Sequence, residues 1–252
     1  MQRFLITLLL FVLVGGHATA QDDDFELRPN RRQRSGGIVG GGGGITPMWH
    51  FLNTSDLNSS LGATGFPQLG EDGLFLFGGQ GYFYVMLIPN LRIGGIGYGG
   101  GMEATRQQDD GSYRSSQLDI GAGGVTIEYV IPFGRFHIAL GGMLGGGSNT
   151  LILTQGNRLT DKTWDGLFPE APGTQGENRV ELHSSFFTWQ PSLTFEYELH
   201  PFMVLGLTGG YFGGSGSWRL NDYVDMEEMP VFKFESPFIR LGLTFGLFLG
   251  ES

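Results

Sequence analysis

Glu181, His183 and Ser185 are the residue types that acyl-transfer chemistry uses. A serine hydroxyl becomes a useful nucleophile only beside a base, and a histidine near a carboxylate can supply one. In a β-strand, residues two apart point to the same face, so the alternate spacing would present all three together. The competing reading is three polar residues closing a strand at an interface. No G-x-S-x-G elbow occurs, which removes the α/β-hydrolase arrangement. We therefore expect no enzyme, with His183, Ser185 and Glu181 as the residues to examine.

A second run, Gly95-Ile96-Gly97-Tyr98-Gly99-Gly100, satisfies G-x-G-x-x-G. A dinucleotide site needs a helix to begin there, so that its N-terminus faces the pyrophosphate. The run is followed by Gly101-Met102-Glu103-Ala104-Thr105 and a polar turn, which leaves no room for a βαβ unit. We read it as a glycine-rich strand and expect no cofactor. No cluster has metal-ligand spacing, and the acidic groups at Asp109-Asp110 and Asp222 to Glu228 do not match a calcium loop.

A third group is Arg92, Glu128, His137, Glu196, Glu198 and His200. Glu128, His137, Glu196, Glu198 and His200 fall on the inward parity near the same end of their strands, and Arg92 is the candidate cation to join them. Charges in a narrow interior must be paired, because an isolated buried charge costs several kcal/mol. The group reads as a salt-bridge plug, or as a proton-sensitive gate in which His137 or His200 changes charge near neutral pH.

The elements that would position these groups are long alternating strands. From Ser184 to Leu199 the odd positions Phe187, Trp189, Pro191, Leu193, Phe195, Tyr197 and Leu199 are mostly apolar, and the even positions are polar. Such a run exceeds the usual strand of about 5–6 residues and reaches the roughly 9–11 that cross a bilayer at a tilt. Similar segments occupy Gly73 to Leu87, Leu91 to Thr105, Tyr113 to Val130, Phe136 to Gly147, Met203 to Tyr211 and Val231 to Leu249, with a weaker one at Gly36 to Thr46. In the Tyr113 segment we expect Leu118, Ile120 and Ala122 to face outward, with a bulge at Gly123-Gly124 reversing the faces. The parity holding Gly95, Gly97, Gly99, Gly121, Gly141, Gly206, Gly210, Gly242 and Gly246 would then face inward. Tyr82, Tyr84, Phe186 and Phe202 would fill the space left, or a small hydrophobic ligand would occupy it. Before Asp72, Ser55 could cap a short helix carrying Leu57 and Leu61 and ending at Gly62.

The composition sets limits. Of 252 residues 45 are glycine, only 16% are charged, cysteine is absent and the formal net charge is −10. No basic stripe is available for nucleic acid. Residues 1–20 read as a signal peptide: Arg3, an apolar run from Phe4 to Val14, and cleavage after Ala20 in Ala18-Thr19-Ala20. Residues 21–35 read as a flexible periplasmic leader, and 36–252 as the folded domain.

Connections alternate between tight turns and longer loops across about eight strands. In this the chain resembles the eight-stranded outer-membrane barrels of the OmpA, OmpX and OmpW type, over about Gly36 to Leu249. Arg240, Gly242, Phe245 and Leu247 in the last strand resemble the signal read by the barrel-assembly machinery. The resemblance implies an all-β fold: a closed antiparallel up-and-down transmembrane β-barrel with short periplasmic turns and long outer loops, in a bacterial outer membrane. It implies lipid and lipopolysaccharide as surroundings. The role implied is structural or binding, or passage of a small hydrophobic molecule. His183-Ser184-Ser185 resembles the His-x-Ser element of the outer-membrane lipid A deacylases, which implies the alternative of an outer-leaflet hydrolase. A soluble, secreted, glycine-rich β protein is the third reading.

Overall fold

The computed structural model describes residues 39–157, 178–220, 224–225 and 235–249, all within the compact unit Gly36–Ser252. The expected signal peptide, the leader and most of the Asp222 to Glu228 loop lie outside the described residues. The strands are β1 (Val39–Ile45), β2 (Met48–His50), β3 (Leu74–Tyr84), β4 (Leu91–Gln107), β5 (Ser112–Phe133), β6 (Phe136–Asn157), β7 (Asn178–His200), β8 (Met203–Leu220), the two-residue β9 (Val224–Asp225) and β10 (Ser236–Leu249). Helix α1 spans Ser55–Ala63.

Neighbouring strands pair antiparallel from β3 through β8. β10 then pairs with β8 on one side and with β1 and β2 on the other, while β1 and β2 both pair with β3. The sheet therefore closes into a ring with eight legs, because β1 and β2 are one leg interrupted at Pro47. Proline has no N–H to give. The flanking bonds Thr46 N–H to Gly78 O (2.9 Å) and Leu241 N–H to Pro47 O (3.0 Å) carry the ladder across. One end of the ring has tight turns, including Gly134-Arg135, where Gly134 takes a φ of 62° that a side chain would strain. The Val39↔Leu249 pair lies at this end too.

The outer face is apolar over a band of constant height. On β5 it runs from Phe133 to Gly121, on β6 from Phe136 to Gly146 and on β7 from Leu199 to Phe187. It stops at laterally paired positions, since Gly121 pairs with Ser148 and Ser148 with Ser185. About 13 residues at 3.3 Å each, tilted about 45°, make a band roughly 30 Å tall. Above it the same face carries Glu103, Gln117, Asp119, Glu181 and Arg179.

The interior differs from the sequence expectation in one large respect. Leu118, Ile120 and Ala122 are buried, on the inner face, and so are Ile96 and Tyr98. Pairing runs without a shift from Leu91↔Tyr129 to Gln107↔Tyr113, so there is no bulge at Gly123-Gly124. Gly95, Gly97, Gly99 and Gly121 consequently face outward. Gly141, Gly206, Gly210, Gly242 and Gly246 keep the inner parity. Alternation marks two faces but does not say which one is wet. Here the half of the lumen away from the tight turns is filled by an apolar core, with Leu76, Leu118, Leu151, Phe186, Phe212 and Phe238 in one cluster. Helix α1 closes it with Leu57 and Leu61. Tyr82, Tyr84 and Phe186 fill the interior as expected, but Phe202 is half exposed at a turn. β6 and β7 also extend beyond the band, to Asn157 and back to Asn178, past the segments Phe136 to Gly147 and Ser184 to Leu199 read from the sequence.

Candidate functional site

The half of the lumen nearest the tight turns holds the polar cluster. Arg92 on β4 points inward opposite its register partner Glu128 on β5, and its Nε donates to Glu128 Oε2 at 2.7 Å. Glu196 comes from β7, across the barrel, and takes both terminal nitrogens: Nη1 to Oε2 at 3.0 Å and Nη2 to Oε1 at 2.7 Å. One cation is thus shared by two carboxylates, and all three side chains are buried. The Tyr82 ring lies 4.2 Å below the guanidinium, which adds a cation–π contact. The triad ties three strands together across the lumen, as a plug would.

His137 is buried beside it, and its Nε2 lies 3.3 Å from Oε1 of half-buried Glu198. His200 does not join the cluster. The β7–β8 register shifts between Glu198 and His200, and His200 is exposed with its ring 4.2 Å from that of Phe202. The bulge re-aims the side chain, which period-two counting cannot foresee.

Several inward polar residues were not singled out from the sequence. Arg240, Thr208 and Thr194 form one lateral row, in which Thr194 and Thr208 share a 2.9 Å hydroxyl contact. Gln80 donates to Thr244 at 3.2 Å, and Gln190 donates to the Tyr98 hydroxyl across the lumen. Their signal was present, because Arg240 and Gln190 sit on the polar parity of strands whose other parity is greasy.

His183 and Ser185 face outward at the upper border of the apolar band. His183 Nδ1 lies 3.2 Å from Thr150 Oγ1, and its Nε2 lies 3.6 Å from Glu181 Oε2. Glu181 also accepts from Arg179 Nε at 2.7 Å. Both ring nitrogens of His183 thus face Thr150 and Glu181. Among the described residues no hydrogen bond joins His183 to Ser185. The Gly95 to Gly100 run lies within β4, with no helix after it. Among the described residues no group of three or more His, Asp or Glu side chains is placed to hold a metal ion, and no helix is long and apolar enough to cross a membrane.

No protein-family model matches the chain, and no curated protein matches it. Two solved structures are similar in outline: the attachment invasion locus protein Ail of Yersinia pestis, alone and in complex with the heparin analogue sucrose octasulfate. Each is 10% identical with a TM-score of 0.37, covering 84% of this chain and 99% of that one. Likeness at this level adds nothing to the barrel read from the strand pairing itself.

Proposed function

We propose that the protein is an integral outer-membrane β-barrel, closed to bulk flow, whose role is structural or binding. One observation carries this reading: the closed wall exposes an apolar band roughly as tall as a bilayer's hydrocarbon core. Its upper border follows the lateral register of β5, β6 and β7. In water that face would expose Phe83, Phe133, Leu144, Phe195 and Leu247 together, far more than soluble monomers leave bare. A ring is also the sheet form that leaves no unpaired edge in lipid. The interior supports the closed state, since the upper lumen is packed under α1 and the lower lumen is bridged by the Arg92 triad. The parts of β4 to β7 that rise above the band offer a polar surface for a binding partner outside the membrane.

Cell fractionation together with gel mobility before and after heating tests placement. Recovery with outer membranes and a heat-dependent shift are expected; a soluble protein without a shift would overturn the reading. Passage of a small hydrophobic molecule fits less well, because aromatic and aliphatic side chains already occupy its route. The hydrolase alternative rests on His183 and Ser185 lying where the outer leaflet's headgroups begin. Mass spectrometry of lipid A with and without the protein distinguishes it, and we expect identical acylation.

A further inference from the structure

We propose that the lumen contains a binding site for a small monovalent anion, organised by the guanidinium of Arg240. Arg240 projects inward from β10 and is 6% exposed. A guanidinium has five N–H donors in a fixed fork. Here one of them reaches an oxygen: Nη2 lies 3.4 Å from Thr208 Oγ1, a long contact. Among the described residues no carboxylate pairs with it within 4.0 Å, and Arg92 engages Glu128 through Oε2 and Glu196 through both oxygens. The Phe238 ring, 5.9 Å away, is at the limit of cation–π range and accepts no hydrogen bond. The triad of one arginine and two glutamates is left one charge negative, which balances Arg240 at long range. Long-range balance does not fill the donors, and the nitrogens without a protein acceptor border interior space rather than being sealed against neighbouring atoms.

The surroundings are polar, and on one side of Arg240 they carry no side chains. Gly206 and Gly242 flank Arg240 on the inner face. A Cβ at Gly206 would meet nothing nearer than 3.4 Å, and at Gly242 the nearest atom is the Gln80 amide nitrogen at 3.2 Å. Thr208 brings a hydroxyl to this row, and the Gln80 amide, which donates to Thr244, lies beside Gly242. Contacts this close admit only a small ligand, which selects a halide over a larger anion. The residual negative charge on the Arg92 triad disfavours a divalent anion. This inference does not rest on the membrane reading, because it concerns the interior of the folded ring.

The test uses the full-length chain folded in detergent, with the heat-dependent gel shift as a check of folding. Chloride is exchanged for sulfate at constant ionic strength, and the 35Cl line width and the unfolding temperature are recorded. Wild type should broaden the chloride signal, lose the broadening with excess bromide, and gain a Tm that rises and levels off as chloride increases. Arg240→Gln should bind at least tenfold more weakly, and Thr208→Val, which keeps the cation, a few-fold more weakly. A wild-type line width equal to that of empty detergent, or the same chloride response in Arg240→Gln, would overturn the site and leave water on those donors. Should Arg240→Gln not fold, the wild-type line width with and without bromide still decides.

Discussion

Arg92 is the residue on which the lower lumen depends. Replacing it by methionine keeps most of the volume but leaves Glu128 and Glu196 buried without a cation. Breaking a buried ion pair from one side costs about 3–5 kcal/mol, so Arg92→Met should lower the urea midpoint of the detergent-folded barrel markedly. Glycines divide by what lies opposite them. A Cβ on Gly44 would overlap the Leu243 carbonyl oxygen of β10, whereas one on Gly209 would meet nothing within 4 Å. Gly44→Ala should therefore weaken closure of the ring and Gly209→Ala should not, as read from the temperature at which the heat-dependent gel shift occurs. Outside the band, the hydroxyl and then the amide of Ser112 hold the Asp110 carboxyl below its ordinary value. A depressed carboxylate stabilises the fold above its unfolded pKa of about 4 and loses that effect as pH falls below it. Ser112→Ala should raise the Asp110 titration midpoint in a carbon-13 carboxyl experiment.

Among the elements, α1 is the one whose role needed the third dimension. Its sequence pattern, Leu57 and Leu61 with a glycine near the end, suits a surface turn as well as a lid. The structure seats it on the core through Asn58, which donates to Leu69 O at 2.9 Å and accepts from Leu69 N–H at 2.8 Å. Asn58→Ala would leave a buried N–H and C=O unmet, at about 1–3 kcal/mol each. The lid should then open locally, with faster amide exchange over residues 52–70 and an unchanged barrel. The strands show the converse case. β7 and β10 were legible, faces included, because each has one greasy and one polar parity. β4 and β5 were legible as strands but not by face. Their outer parity is largely glycine in that stretch, and their inner parity meets an apolar core, so the usual sign of the alternation is reversed. Outward glycines on adjacent strands also pair with one another, Gly79 with Gly97 and Gly97 with Gly123, which erases the contrast further.

At the scale of the whole molecule the prediction concerns what surrounds the band. Trp189 faces outward in the upper part of the band and is 47% exposed. A variant retaining Trp189 as its sole tryptophan should be strongly quenched by lipids brominated on their acyl chains. Quenching no greater than in aqueous bromide would place that face in water. The chain alone determined that there would be about eight long strands, tight turns at one end, and an apolar exterior on β7 and β10, because period-two patterning and turn residues are local properties. Only the tertiary structure decided that the upper lumen is packed with apolar side chains and lidded, that Arg92 holds two glutamates while His200 stands apart, and that Arg240 is left short of acceptors. Those are relations between strands distant in sequence, set by the stagger at which the ring closes, and no single strand encodes that stagger.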